Sequence, residues 1–130
     1  MKLKYTIFYV DDVPASLAFY QKAFGIGLRM MHGEGDYAEL ETGTTSLSFC
    51  SRTLMDQLGK STARPEAGAP VFEIAFETDD VAAAFETAVA HGASPVSAPE
   101  DMPWGQTVSY VADLNGYLVE ICSPVRPPQA

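Results

Sequence analysis

From Val71 to Ser123 the apolar and polar positions spell out a strand, a helix and three further strands. Val71 to Thr78 is a short apolar-rich run carrying the β-branched and aromatic residues that favour strands. Asp79 and Asp80 follow, and an aspartate oxygen there satisfies a free amide N–H at a helix start. Val81, Phe85, Ala88 and Val89 then recur at helical spacing, and Gly92 stops the helix. Strands are predicted over Ser94 to Val96, Gln106 to Ala112 and Tyr117 to Cys122, with Asp113-Leu114-Asn115-Gly116 as a sharp Asn-Gly hairpin turn.

The first half repeats this plan. Lys4 to Val10 reads as a strand, and Asp12 or Val13 caps a helix with Pro14 in its first turn, where the missing N–H costs nothing. Leu17, Tyr20 and Phe24 share one helix face for packing on a sheet, and Gly25 ends the helix. Leu28 to His32 and Tyr37 to Thr42 flank the turn Gly33-Glu34-Gly35-Asp36, and Thr45 to Cys50 is a fourth strand. An offset of 68 sets Asp11-Asp12 against Asp79-Asp80, Phe8 against Phe76 and Val13 against Val81, while an offset of 72 sets Cys50-Ser51 against Cys122-Ser123. A repeat fixes architecture before any residue is given a role. The prediction is an α+β chain of two paired βαβββ modules, 1–50 and 71–123, in a single domain spanning 1–130. The linker 51–70 holds a short helix, Thr53 to Leu58, and either covers a ligand cleft, reaches a partner subunit or is a spacer. The proline-rich tail, 124–130, extends across the surface.

Composition narrows the classes. At 130 residues, 47% hydrophobic and a mean hydropathy of +0.01, the chain suits one globular domain. No apolar run reaches membrane-spanning length, and MKLKYTIFYVDD lacks a signal core and cleavage site, so a cytoplasmic location is expected. A net charge of −9 argues against nucleic acid, which is bound by neutralising phosphates with Lys and Arg. That charge serves either solubility or a cationic ligand. Cys50 and Cys122 fall inside strands at equivalent repeat positions and read as buried free thiols. A phosphate loop, a serine nucleophile elbow and a Cys-x-x-Cys pair are all missing.

The run FYVDDVPASLAFYQKAFG, the run WGQTVSYVADLNGYLVEIC and the paired modules resemble the vicinal oxygen chelate superfamily. That superfamily holds glyoxalases, bleomycin-type resistance proteins and extradiol dioxygenases. The resemblance covers nearly the whole chain. It implies two four-stranded curved sheets forming an open, cup-like cleft with helices outside, and a homodimer whose clefts a partner completes. It also implies metal-ligand places on the first and last strands of each module, here Tyr5, Ser48, Glu73 and Glu120. Glu120 matches the last ligand directly, and Glu73 stands where many members have His. Two carboxylates suffice only to hold Mg²⁺ or Mn²⁺ loosely, so either no metal or a weakly held divalent ion is expected. His91 falls in the last turn of the second helix and His32 beside a glycine turn, neither placed as a ligand.

Strand alternation aims Glu73 away from Ile74 and Phe76, and Glu120 away from Val119 and Ile121, so both carboxylates face one concavity. There they serve either as a general acid/base pair, as counter-charge for an amine, or as solvated groups. Tyr5, Ile7 and Tyr9 alternate onto the first-half face, as do Tyr37, Glu39 and Glu41. Trp104 is either a lid or stacking wall for a flat or cationic ligand, or a hydrophobic plug. The expected ligand-binding set is Tyr5, Ile7, Ser48, Glu73, Trp104 and Glu120. The expected function is binding of a small organic, cationic aromatic molecule without a metal. The rival is a glyoxalase-type metal-dependent lyase or isomerase with Glu73 and Glu120 as ligands.

Overall fold

Asp12 accepts a hydrogen bond from Ala15 N at 3.0 Å and Asp80 accepts one from Ala83 N at 3.1 Å, so both predicted aspartate caps start their helices. The computed structural model describes residues 1–127; the end of the predicted tail, 128–130, lies outside the described residues. In chain order the elements are β1 (Tyr5–Val10), α1 (Val13–Phe24), β2 (Leu28–His32), β3 (Tyr37–Leu40), β4 (Ser46–Ser51), α2 (Arg52–Gln57), β5 (Glu73–Glu77), α3 (Val81–Ala90), β6 (Ser94–Met102), β7 (Gln106–Ala112) and β8 (Leu118–Cys122). They divide between two compact units, Met1–Arg64 and Pro65 onward.

Each unit holds one four-stranded mixed sheet, ordered β1-β4-β3-β2 in the first and β5-β8-β7-β6 in the second. The parallel pair in each joins positions that the repeat makes equivalent: Phe8 with Phe49 and Tyr9 with Cys50, against Phe76 with Ile121 and Glu77 with Cys122. In the first unit α1 packs on β3 and β4. Fully buried Tyr20 meets Phe49 at 4.9 Å and Phe24 at 5.0 Å between ring centroids, both edge-on, the arrangement that ring quadrupoles favour. Phe8, Val10, Ala38 and Leu40 complete this core. In the second unit α3 packs on β6, β7 and β8, with Val81, Ala88, Val111, Val119 and Ile121 buried.

Three local readings change. β6 runs to Met102, past the expected end at Val96, because Pro95 and Pro99 lie on an edge strand whose register shifts between Pro95 and Glu100. The Asn-Gly hairpin turn forms with only Gly116 at positive φ (96°); Gly116 N bonds to Asp113 O at 3.1 Å, and Asp113 Oδ1 accepts from Asn115 N and Tyr117 N at 2.8 and 2.9 Å. The aspartate side chain thus organises a turn with a single left-handed glycine, where a paired-glycine-type turn needs two such residues.

The third change concerns residues 51–70. Ser51 ends β4 and caps α2 by accepting from Leu54 N at 3.0 Å. Arg52, its side chain 11% exposed, donates to Tyr9 O (3.0 Å), Thr62 Oγ1 (3.0 Å) and Ala63 O (2.8 Å). Its Nε lies 3.2 Å from Asp11 Oδ1, an ion-pair distance without hydrogen-bond alignment. Arg64 grips the same carboxylate through two nitrogens at 3.0 and 3.3 Å. That hydrogen bond is the main cause holding Asp11 below the usual carboxylate range. Much of the predicted linker is therefore folded onto the first unit.

Cys50 and Cys122 are buried free thiols, each pushed up chiefly by burial. No helix among the described residues is long and apolar enough to cross a membrane. Phe49→Ala is expected to cost about 3–5 kcal/mol, the lost burial plus a cavity under Tyr20. Equilibrium urea denaturation followed by circular dichroism checks it, and a loss under about 1 kcal/mol would show that the aromatic cluster does not hold the first unit together.

Candidate functional site

Helix packing on one side of each sheet leaves strand positions of the other parity on a second face. In the second unit β5 presents Glu73, β8 presents Glu120 and β7 presents Tyr110. Ala75 pairs with Glu120 and Tyr110 pairs with Glu120, and Glu73 shares a face with Ala75 two residues away. The two carboxyl groups the alternation predicted to converge do so. Glu120 is half-buried, and its carboxyl is pushed up first by burial, then by the Glu73 charge and a hydrogen bond to Glu73. Tyr110 is pushed up to about 12 by burial and by the Glu120 and Glu73 charges, and it shares a hydrogen bond with Glu73. Tyr110 is the member the pattern reading missed. The Asp113–Tyr117 turn carried the signal, since counting back from it sets Tyr110 opposite Glu120.

The predicted first-half residues gather on the corresponding face of the first unit. Tyr5 pairs with Ser46 and Ile7 with Ser48. Tyr5 and Ile7 are 43% and 42% exposed, while Ser48 is fully buried. Glu39 lies opposite Ser48. Tyr37 Oη is 3.2 Å from both Glu39 Oε2 and Ser48 Oγ. With one proton to give, the phenol donates to the carboxylate and accepts from the serine.

Charge separates the two faces. Residues 1–64 carry seven acidic and seven basic side chains, whereas residues 65–130 carry ten acidic groups and Arg126 alone, so the whole net charge of −9 belongs to the second half. Glu73 and Glu120 thus sit in the half that carries a net negative charge.

Trp104 lies apart from the carboxylates along the sheet. It is 56% exposed at the β6–β7 turn, and its indole N–H donates to Gln106 Oε1 at 2.8 Å. That exposure rules out a hydrophobic plug. Gln106 stands four residues before Tyr110 on β7, about 14 Å along a strand. A cavity of about 220 Å³ opens at this hairpin, lined by Asp101, Met102, Gly105, Gln106, Thr107 and Arg126. Neither Glu73 nor Glu120 lines it.

The donor set does not fit a catalytic divalent ion. Such an ion needs three or four protein donors. Among the described residues no group of three or more His, Cys, Asp or Glu is placed to hold one. Glu73 and Glu120 offer two carboxylates beside a phenol that stays protonated through the physiological range.

A folded-state pKa raised above the unfolded value favours the folded state at low pH. This contribution is full below the unfolded pKa and is lost as pH rises through the raised value of Glu120. Glu120→Gln is therefore expected to stabilise the protein at pH 7 by roughly 0.2–1 kcal/mol, the usual size of a cross-strand pair effect. The gain should vanish at low pH. Urea midpoints of both proteins at pH 3.5 and pH 7 check this, and equal differences at both would mean the carboxyls do not interact.

The model of the Glyoxalase/Bleomycin resistance protein/Dioxygenase superfamily matches residues 2–121. An uncharacterised protein of Mycobacterium bovis is 30% identical over 122 residues, 90% of this chain and 80% of that one. A glyoxalase-related enzyme from Fulvimarina pelagi shares the fold with a TM-score of 0.81 at 24% identity, covering 99% of this chain and 93% of that one. A glyoxalase/bleomycin resistance protein/dioxygenase family enzyme from Burkholderia phytofirmans does so with 0.81 at 21%, covering 97% and 100%. With a match over nearly its whole length and the duplicated βαβββ sheets in place, the chain belongs to the Glyoxalase/Bleomycin resistance protein/Dioxygenase superfamily.

Proposed function

We propose that this chain binds a small organic cation, without a metal, on the open face of its second sheet. The observation that carries the reading is the coupling of Glu73 with Glu120 in the half of the chain that holds all the net negative charge. Two carboxylates forced together are relieved by a proton or by a cation placed between them. An ammonium group donates to both, and the Tyr110 ring beside them offers a face to its charge or to an attached apolar body. The negative field of the second half draws such a ligand in and repels anions. A half-buried carboxylate near a phenol also suits proton transfer, yet lyase or isomerase chemistry through a metal lacks its third donor here.

Calorimetric titration with benzylamine, and with benzyl alcohol as its neutral counterpart, tests the reading. Benzylamine is expected to bind and the alcohol not to. Glu120→Gln should weaken benzylamine at least about tenfold, the loss of one charge-assisted hydrogen bond. Raising salt should weaken it further. Equal binding of both compounds, or an unchanged Kd in Glu120→Gln, would remove the carboxylates from recognition. Elemental analysis of protein purified without chelator is expected to show no stoichiometric divalent ion; one ion per chain would favour the metal-dependent reading.

A further inference from the structure

We propose that the cavity at the β6–β7 hairpin binds a small zwitterion of the α-amino-acid type, its carboxylate on Arg126 and its ammonium on Asp101. The cavity of about 220 Å³ lies within the second unit. Pockets for drug-sized ligands run to roughly 300–1,000 Å³, so this one suits a smaller molecule. Much of its polar lining is spent on the protein itself. Gln106 accepts from the Trp104 indole at 2.8 Å and donates to Ser123 O at 3.0 Å. Gly105 N donates to Met102 O at 3.1 Å, and Gly105 O accepts from Arg126 N at 2.8 Å. Thr107 N donates to Ser123 Oγ at 2.9 Å, Thr107 O accepts from Ser123 N at 2.9 Å, and the Thr107 hydroxyl donates to Asp101 Oδ1 at 2.8 Å. The charged groups left to a ligand are the Asp101 carboxylate, with acceptor capacity beyond that one bond, and the Arg126 guanidinium.

These opposite charges line one cavity without neutralising each other. Among the described residues the ion pairs are Asp11 with Arg52 and with Arg64, so neither Asp101 nor Arg126 has an ionic partner. Arg126 is also the only Lys or Arg in residues 65–130. Local bonds anchor both residues. The bonds of Ser123 and Arg126 N hold the segment after β8 against the start of β7. Gly105, at a φ of 85°, permits that close approach, since a Cβ there would stand 2.8 Å from Arg126 O. Asp101 is tied to the same strand through Thr107. A guanidinium takes a carboxylate through two parallel N–H···O bonds, and an ammonium donates to a carboxylate. A molecule bearing both charges on neighbouring carbons bridges the gap, whereas a singly charged one leaves a protein charge unmatched. Met102 adds apolar lining for the rest of such a ligand. Being neutral overall, a zwitterion is not turned away by the acidic excess of this half.

The single tryptophan, Trp104, reports on the cavity, because its indole N–H bonds to the lining residue Gln106. In an NMR titration of the full chain with L-leucine, the indole N–H signal is expected to shift along a saturable curve. Isocaproate, which is leucine without the ammonium, and isoamylamine, which is leucine without the carboxylate, should each bind there at least about tenfold more weakly. Arg126→Gln and Asp101→Asn should each weaken leucine by a similar factor. The asparagine keeps an acceptor for Thr107, and an unchanged circular dichroism spectrum shows that the fold is retained. Gly105→Ala should weaken leucine too, by displacing the segment that carries Arg126. Glu120→Gln should leave the leucine curve unchanged. No shift with leucine, equal binding of leucine and either analogue, or a wild-type curve in Arg126→Gln or Asp101→Asn would overturn the site. Leucine binding weakened in Glu120→Gln would move the ligand to the carboxylate face and overturn it as well. A wild-type curve in Gly105→Ala would overturn the positioning role of the glycine. Failure of benzylamine to bind, with leucine binding intact, would count against the proposed function and leave this inference standing.

Discussion

The candidate residues on β1, β4, β5 and β8 depend on one constraint, the in-register parallel pairing of the first and last strands of each module. Side chains alternate along a strand, so this register sends Phe8, Val10 and Phe49 under α1 and sends Tyr5, Ile7 and Ser48 the other way. In the second unit it sends Val119 and Ile121 inward and Glu120 outward. A slip of one residue would exchange the two sets, burying carboxylates and exposing the apolar core. The aromatic cluster of Tyr20, Phe24 and Phe49 opposes such a slip in the first unit, because its rings fit only one parity. Core packing and site geometry are the same decision.

On that shared backbone the two halves have diverged in chemistry. Where the second unit pairs Glu73 and Glu120 across a phenol, the first has a tyrosine, a serine and a single carboxylate. The first half balances its charges, partly by folding Arg52 and Arg64 onto Asp11, whereas the second has Arg126 alone against ten acids. A duplicated scaffold tolerates this because face positions contribute little to the core. Their side chains change chemistry without disturbing the helix-covered side.

Much was legible in the chain itself. Caps at Asp12 and Asp80, helix ends at Gly25 and near Gly92, and the offsets of 68 and 72 rest on neighbours in sequence, and local hydrogen bonds and periodicity decide them. The convergence of Glu73 and Glu120 was legible too, since alternation on two strands known to be neighbours is enough. The bulged length of β6 was not, because proline signals a strand's end unless the strand proves to be an edge. Nor was the turn at Asp113, where a side-chain acceptor replaced the backbone geometry that Asn-Gly suggests.

The sequence by itself determined the duplicated α+β plan, the faces of the strands and the acidic excess, all of which follow from order and spacing along the chain. Only the tertiary structure decided that Tyr110 joins the carboxylates, that Tyr37 links Glu39 to Ser48, that Arg52 ties residues 62–63 to β1, and that Trp104 stands out at a hairpin. These contacts join residues from different strands or loops, and their energies depend on distance and burial that the order of residues does not encode.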